Sequence, residues 1–183
     1  MGMTKHTGRV LVHWFACFVL ASCSFLLAMK QQTDADEILE GRISQKDLFR
    51  YSWFEKTKQE YMPDDTVVRA LMPYSQQLHF VVVLGTWCSD SRKHVPAFYS
   101  LMDALHIPEK QIELIGVDRE KRSGSVNVAP LRIEYVPTII VFYKGKEVGR
   151  IVEAPKDSLE KDLLQMLQSG QQSITSIDAF KPL

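Results

Sequence analysis

Cysteine is scarce in this chain. There are three among 183 residues, and two of them, Cys17 and Cys23, sit in an apolar N-terminal run. The folded part therefore holds one thiol, Cys88, which excludes an internal disulfide framework. An excess of one charge is also missing, since 22 basic residues balance 22 acidic ones. The imbalance is positional: residues 1–30 carry Lys5, Arg9 and Lys30 and no acid, which leaves the remainder with a net charge of −3. No basic face of the kind a nucleic-acid partner requires is indicated. There is no phosphate-cradling loop, no Ser-His-Asp order and no internal repeat, so no cofactor is expected. Nor is a metal site: His94 lies six residues after Cys88, off its helical face, and His79 and His106 lack ligand spacing.

What is there begins with a short basic stretch, Met1 to Arg9, followed by an apolar stretch of 11 residues from Val10 to Leu20, interrupted by His13. That order is a secretory signal. The four residues Leu20-Ala21-Ser22-Cys23 at its end resemble a bacterial lipobox, in which the cysteine, here Cys23, is lipidated and becomes the new N-terminus. Apolarity continues through Phe25 to Met29, and the 20 mostly apolar residues from Val10 could instead span a membrane as an uncleaved anchor. An ordinary cleaved signal is the third reading. The lipoprotein leads, and all three export the domain and place it at a bacterial cell envelope. Cys17 reads as a small apolar residue of the signal.

The expected organisation is a signal or anchor over 1–29, a polar linker over 30–43, one domain over 44–170 and a loose tail over 171–183. With 45% hydrophobic residues, that single domain can bury an ordinary core. Ser44 and Asp47 form a capping pattern. Leu48, Tyr51 and Phe54, with Phe49 and Trp53 beside them, predict an amphipathic helix to about Tyr61, packed on one face of the domain as an addition to it. Asp64-Asp65-Thr66 opens a second helix that Pro73 bends or ends. Ile112 to Val117 reads as a buried strand, with the charged run Asp118 to Arg122 at its carboxyl end, the edge that faces ligands in open α/β sheets. Pro155 is expected at the start of a last helix with Leu159, Leu163, Met166 and Leu167 on its apolar face, and Gly170 at its end.

The stretch around which the rest is organised runs from Phe80 to Arg92. Phe80 to Leu84 is a short β-branched run that reads as a buried central strand. Gly85 and Thr86 break it. Trp87-Cys88-Ser89-Asp90-Ser91 then leads into an amphipathic helical pattern of Val95, Phe98, Leu101, Met102 and Leu105. A thiol thus lies where a buried strand ends and a helix begins. Unpaired N–H groups and the positive end of the helix dipole favour a thiolate there, so Cys88 reads as a nucleophile or redox group.

Trp87-Cys88-Ser89-Asp90-Ser91 resembles the Trp-Cys-x-x-Cys site of the thioredoxin superfamily, with serine in the last place. Pro96, eight residues after Cys88, falls where that family kinks its active-site helix. Val136-Pro137-Thr138 resembles its cis-proline loop. Thr138 to Val152, a strand, a Lys-Gly turn and a second strand, resembles its C-terminal hairpin. The resemblance covers roughly residues 64–168. It implies an α/β thioredoxin-like fold, a central mixed sheet flanked by helices. It also implies that Trp87 shields one side of the Cys88 sulfur, that Val136 and Pro137 face it, and that the Val136 backbone pairs with an extended substrate.

Two departures from the family pattern bear on chemistry. Ser91 stands where the resolving cysteine would be, and a hydroxyl cannot form a disulfide. Val82 stands at the family's buried acid, six residues before Cys88. What survives is exchange through a mixed disulfide, resolved by an external thiol or by the substrate's own second cysteine. Ser91 could donate a hydrogen bond to the Cys88 thiolate, with Arg92 adding positive charge and Asp90 opposing it. The expected partners are exported proteins or small-molecule thiols and disulfides, an external reductant or resolving thiol, and the membrane through the N-terminus. The competing reading is a redox-inactive binding module that uses the groove around Cys88 and Pro137.

Overall fold

The computed structural model describes residues 37–178, with side chains through residue 170. The signal, the lipobox, Cys17 and Cys23 lie outside the described residues. Among the described residues, no helix is long and apolar enough to cross a membrane.

A five-stranded mixed sheet forms the centre, built from β1 (Gly41–Ile43), β2 (Leu78–Leu84), β3 (Ile112–Gly116), β4 (Thr138–Tyr143) and β5 (Lys146–Val152). The strand order is β1-β3-β2-β4-β5. Only β2 and β3 run parallel; the β1–β3, β2–β4 and β4–β5 pairs are antiparallel. Around the sheet lie α1 (Gln45–Leu48), α2 (Ser52–Glu60), α3 (Asp65–Leu71), α4 (Ser89–Ala104) and α5 (Leu159–Asp178). This is the α/β architecture expected from the sequence.

The period-2 rule splits the strands between two cores. Phe80, Val82 and Leu84 of β2, with Leu114, Ile139 and Val141, face a large cluster to which all five helices contribute. Val83 and Ile115 face a smaller cluster on the other side, completed by Val117, Val136, Leu131 and Ile133 from the connection between β3 and β4. That connection covers its face of the sheet with irregular chain and a 3₁₀ turn at Ala129–Leu131. The larger cluster anchors the domain, and the smaller one carries Trp87 and Cys88 at its edge.

Local signals set most boundaries. The Asp47 carboxylate accepts the Ser44 N–H at 2.8 Å, and Asp64 caps α3 by accepting the N–H groups of Thr66 and Val67. Lys144 and Gly145, both at positive φ, form the tight β4–β5 turn.

Four expectations are corrected. The segment expected as linker contains β1, which pairs antiparallel with β3 as Gly41↔Gly116 to Ile43↔Leu114. Three residues with no apolar alternation carry too little pattern to read as a strand; pairing with β3 makes them one. The helix expected from Ser44 to about Tyr61 is two, broken between Leu48 and Ser52. The break lets Leu48, Tyr51 and Phe54 all reach the core while Phe49 stays 49% exposed. Pro155 precedes α5 by four residues rather than starting it, since the helix opens at Leu159. Gly170 does not stop α5, whose backbone continues to Asp178; a lone glycine costs a helix only about 1 kcal/mol relative to alanine.

Glu160, 4% exposed, ties the N-terminal helices to α5. Its carboxylate accepts the Tyr61 hydroxyl at 2.5 Å and the Asp64 N–H at 3.3 Å. Burial pushes the Glu160 carboxyl up, but the hydrogen bonds from Tyr61, backbone N–H groups and Ser158 outweigh it and hold it below the usual carboxylate range. Burial and the bond to Glu160 push the Tyr61 hydroxyl up, so it stays a donor. A depressed carboxyl stabilises the fold above the unfolded value of about 4.3 and loses that contribution as pH falls through the lower folded value. Glu160→Gln should therefore cost about 1–2 kcal/mol at neutral pH and flatten the loss of stability on acidification below about pH 4. Denaturant midpoints measured across that range check both.

Candidate functional site

The site forms where β2 runs out. The Cys88 N–H donates to the Gly85 carbonyl at 2.9 Å, closing a turn directly after the strand. Cys88 is extended, at φ −88 and ψ 129, and is the N-cap of α4. Its carbonyl already accepts the Arg92 N–H at 3.0 Å. The side chain is half-buried and its sulfur is a free thiol. The Val136–Pro137 peptide bond is cis, and the Cys88 Sγ lies 3.1 Å from the Val136 carbonyl oxygen. Cys88, Val136 and Pro137 are thus brought together from positions 48 and 49 residues apart.

Trp87 lies beside the thiol, with its indole Nε1 donating to the Val117 carbonyl at 3.0 Å. The indole folds back over Gly85. A Cβ at Gly85 would come within 2.5 Å of the ring, so only glycine fits. Gly85→Ala should displace the indole, break its bond to Val117 and lower stability by about 1–3 kcal/mol. Denaturation of the two proteins, with tryptophan fluorescence as the probe, measures it.

Ser91 is placed differently from the sequence expectation. It is fully buried, and its Oγ accepts the Gly85 N–H at 3.2 Å. A Ser91–Cys88 hydrogen bond is not formed. The serine ties the first turn of α4 to the end of β2, and the sulfur's partner is Val136 instead. Arg92 donates its Nε to the Thr86 carbonyl at 2.6 Å, which ties its side chain to the turn before Cys88. Val82, where the family has an acid, is buried among apolar groups, so no proton acceptor lies beneath the site there. Pro96 lies within α4 and is buried.

His94 is buried against α2 and the loop before α5 rather than turned to Cys88. Burial and the neighbouring Lys93 hold its imidazole below the ordinary value, opposed by Asp90. Among the described residues no three His, Cys, Asp or Glu side chains are grouped to hold a metal ion.

Two flanking residues emerge only in three dimensions. The Arg119 guanidinium stacks 5.1 Å from the Trp87 ring centroid; the sequence showed it only as part of a charged run. Glu153 follows β5 at φ 61, and its N–H donates to the Pro137 carbonyl at 2.8 Å. No sequence signal marked Glu153, because its neighbour in space is 16 residues away along the chain.

The arrangement places a half-buried thiol at a strand-to-helix junction, against the Val136 carbonyl beside the cis-proline. Several known proteins are similar to this chain. Thioredoxin H2 of Arabidopsis thaliana is 25% identical over 92 residues, spanning 50% of this chain and 65% of that protein. Thioredoxin H2-2 of Oryza sativa subsp. japonica is 31% identical over 90 residues, spanning 47% of this chain and 60% of that protein. The matches thus span under two thirds of these relatives' length. Among solved structures, a protein of unknown function from Pseudomonas aeruginosa shares 18% identity at a TM-score of 0.41, covering 69% of this chain and 70% of that one. Fasciola hepatica thioredoxin shares 19% identity at a TM-score of 0.35, covering 56% and 88%. The family model described as thioredoxin matches residues 57–165. That span holds β2 to β5, Cys88 and the cis-proline, and by it the chain belongs to the thioredoxin family.

Proposed function

We propose that this protein is a monothiol member of the family, acting by thiol–disulfide exchange through Cys88 on exported partners. The observation that carries the reading is the Cys88 sulfur, half-buried at the start of α4 and 3.1 Å from the Val136 carbonyl beside a cis-proline. In the proposed step the Cys88 thiolate attacks one sulfur of a partner disulfide. The partner S–S bond breaks, a mixed disulfide forms, and the second partner sulfur leaves as a thiolate that takes up a proton. Ser91 offers no sulfur to complete the cycle. Resolution therefore comes from a second partner cysteine, which gives isomerisation, or from an external thiol reductant. Trp87 covers one side of the sulfur, and the Val136 backbone offers pairing to an extended partner segment. The envelope setting, with the membrane reached through residues 1–29 and lipidation at Cys23, rests on the sequence.

Acid-quenched trapping in the native envelope tests this. Without an internal resolving thiol, adducts through Cys88 should accumulate on non-reducing gels and vanish in Cys88→Ser. An equal adduct pattern in both proteins would refute it.

A second reading has its own support. Val82 and the Ser91–Gly85 bond leave the site without the parts of the second half-reaction, as in a fold retained only to hold a partner. Iodoacetamide labelling of the folded protein separates the two. A thiol that labels no faster than a small free thiol such as cysteamine at the same pH would favour the binding module.

A further inference from the structure

The topology lines up four residues along one end of the sheet. β2 and β3 are parallel, so Cys88 and Arg119 both follow strand C-termini at that end. β4 runs antiparallel to β2, which brings its N-terminus and Pro137 to the same end. β5 returns antiparallel to β4, with Val152 opposite Thr138, and delivers Glu153 there as well. Read across the strand order β3-β2-β4-β5, the row is Arg119, Cys88 with Trp87, Pro137, Glu153. Contacts join it: Arg119 over the Trp87 ring, the Cys88 sulfur on Val136 and the Glu153 N–H on Pro137.

The two ends of the row carry opposite charge, and neither charge is neutralised by a neighbour. Arg122 pairs with both Asp118 and Glu120, while Arg119 lies over the Trp87 ring. The Glu153 carboxylate makes no ion pair among the described residues. Both side chains are exposed. Between the ends, the first turn of α4 carries one acid, Asp90, and one base, Arg92, which is bound to the Thr86 carbonyl. Three strand spacings of about 4.8 Å set the ends roughly 14 Å apart, the length of about four extended residues. The thiol lies one spacing from the cationic end and two from the anionic end.

We infer that Arg119 and Glu153 determine which partners Cys88 accepts. They select an extended cysteine-containing segment with an acidic side chain one or two residues to one side of its cysteine and a basic one about three residues to the other. The pairing also orients the segment, since reversal places like charges together. The inference rests on the exchange reading of Cys88 and names the class of partner for it.

The test uses synthetic peptides with one cysteine carried as a 2-thiopyridyl disulfide. Cys88 attacks the peptide sulfur, the probe S–S bond breaks, and 2-thiopyridone leaves with the electron pair and a proton. Five peptides are compared: acid before and base after the cysteine, the reverse order, doubly acidic, doubly basic and uncharged. One mixed-charge peptide should react about three- to tenfold faster than its reverse at low ionic strength. The preference should collapse at about 1 M salt, where the screening length is near 3 Å. The double variant Arg119→Glu with Glu153→Arg should invert the preference, while circular dichroism shows the fold retained. Equal rates for all five peptides, or a ranking unchanged in the swapped protein, would overturn the inference and leave exchange at Cys88 standing. No reaction with any peptide, the uncharged one included, would sink both.

Discussion

Ser91→Cys should turn a protein without dithiol turnover into one that catalyses reduction of a protein disulfide by an added dithiol. The serine stands three residues after Cys88 on the first turn of α4, on the family's resolving position, and is fully buried. A thiol there can attack the mixed disulfide from inside, so the adduct no longer waits for an external thiol. The gain should be about tenfold or more over the unchanged protein in the same assay. It should still fall short of a complete site. A positioned proton acceptor contributes about 10²- to 10⁴-fold to such steps, and Val82 supplies none. The substitution also exchanges a good acceptor of the Gly85 N–H for a weak one, at a cost of about 1 kcal/mol. Turnover assays, with mass spectrometry to detect the loss of two hydrogens on oxidation, read the outcome. A variant that folds but forms neither an internal disulfide nor turnover would show that Cys88 and position 91 do not face each other.

Phe54→Ala should remove about 3–5 kcal/mol of stability, a large share of the 5–15 kcal/mol typical of a domain. Phe54 is fully buried. Its ring meets Tyr99 of α4 edge-on at a centroid distance of 5.7 Å, and Tyr99 in turn packs edge-on against Phe98. The sequence suggested that this helical segment is an addition packed on one face. In the structure it shares the large core with the sheet and with α4. Urea unfolding measures the cost. A change under about 1 kcal/mol would mean that α2 is a loosely docked appendage, because exposed positions shift stability by only about 0.5 kcal/mol.

Much of the fold was legible because it is written in short-range pattern. The β-branched run at Phe80, the 3.6-residue spacing of Val95, Phe98 and Leu101, and the Lys-Gly turn each follow from neighbours a few residues apart. Elements made by pairing were not legible. β1 exists because β3 supplies hydrogen-bond partners some 70 residues downstream. The break between α1 and α2 exists because three residues must reach one core. The continuation of α5 past Gly170 shows propensity outweighed by the rest of the helix.

At the site the division is the same. Sequence alone determined that the domain from residue 44 on carries one sulfhydryl, Cys88: a hydroxyl at 91 and a methyl-bearing chain at 82 are covalent facts that no folding can change. It also placed that sulfur at a strand-to-helix junction, since hydrophobic periodicity changes there from two to 3.6. Only the tertiary structure decided what surrounds it: that Ser91 serves Gly85 rather than Cys88, that the sulfur turns to Val136, and that Arg119 and Glu153 stand at opposite ends of its row. The reason is that a hydrogen bond or a charge pair depends on distances of a few ångströms. Those distances are set by strand order and register, which the local chain does not encode.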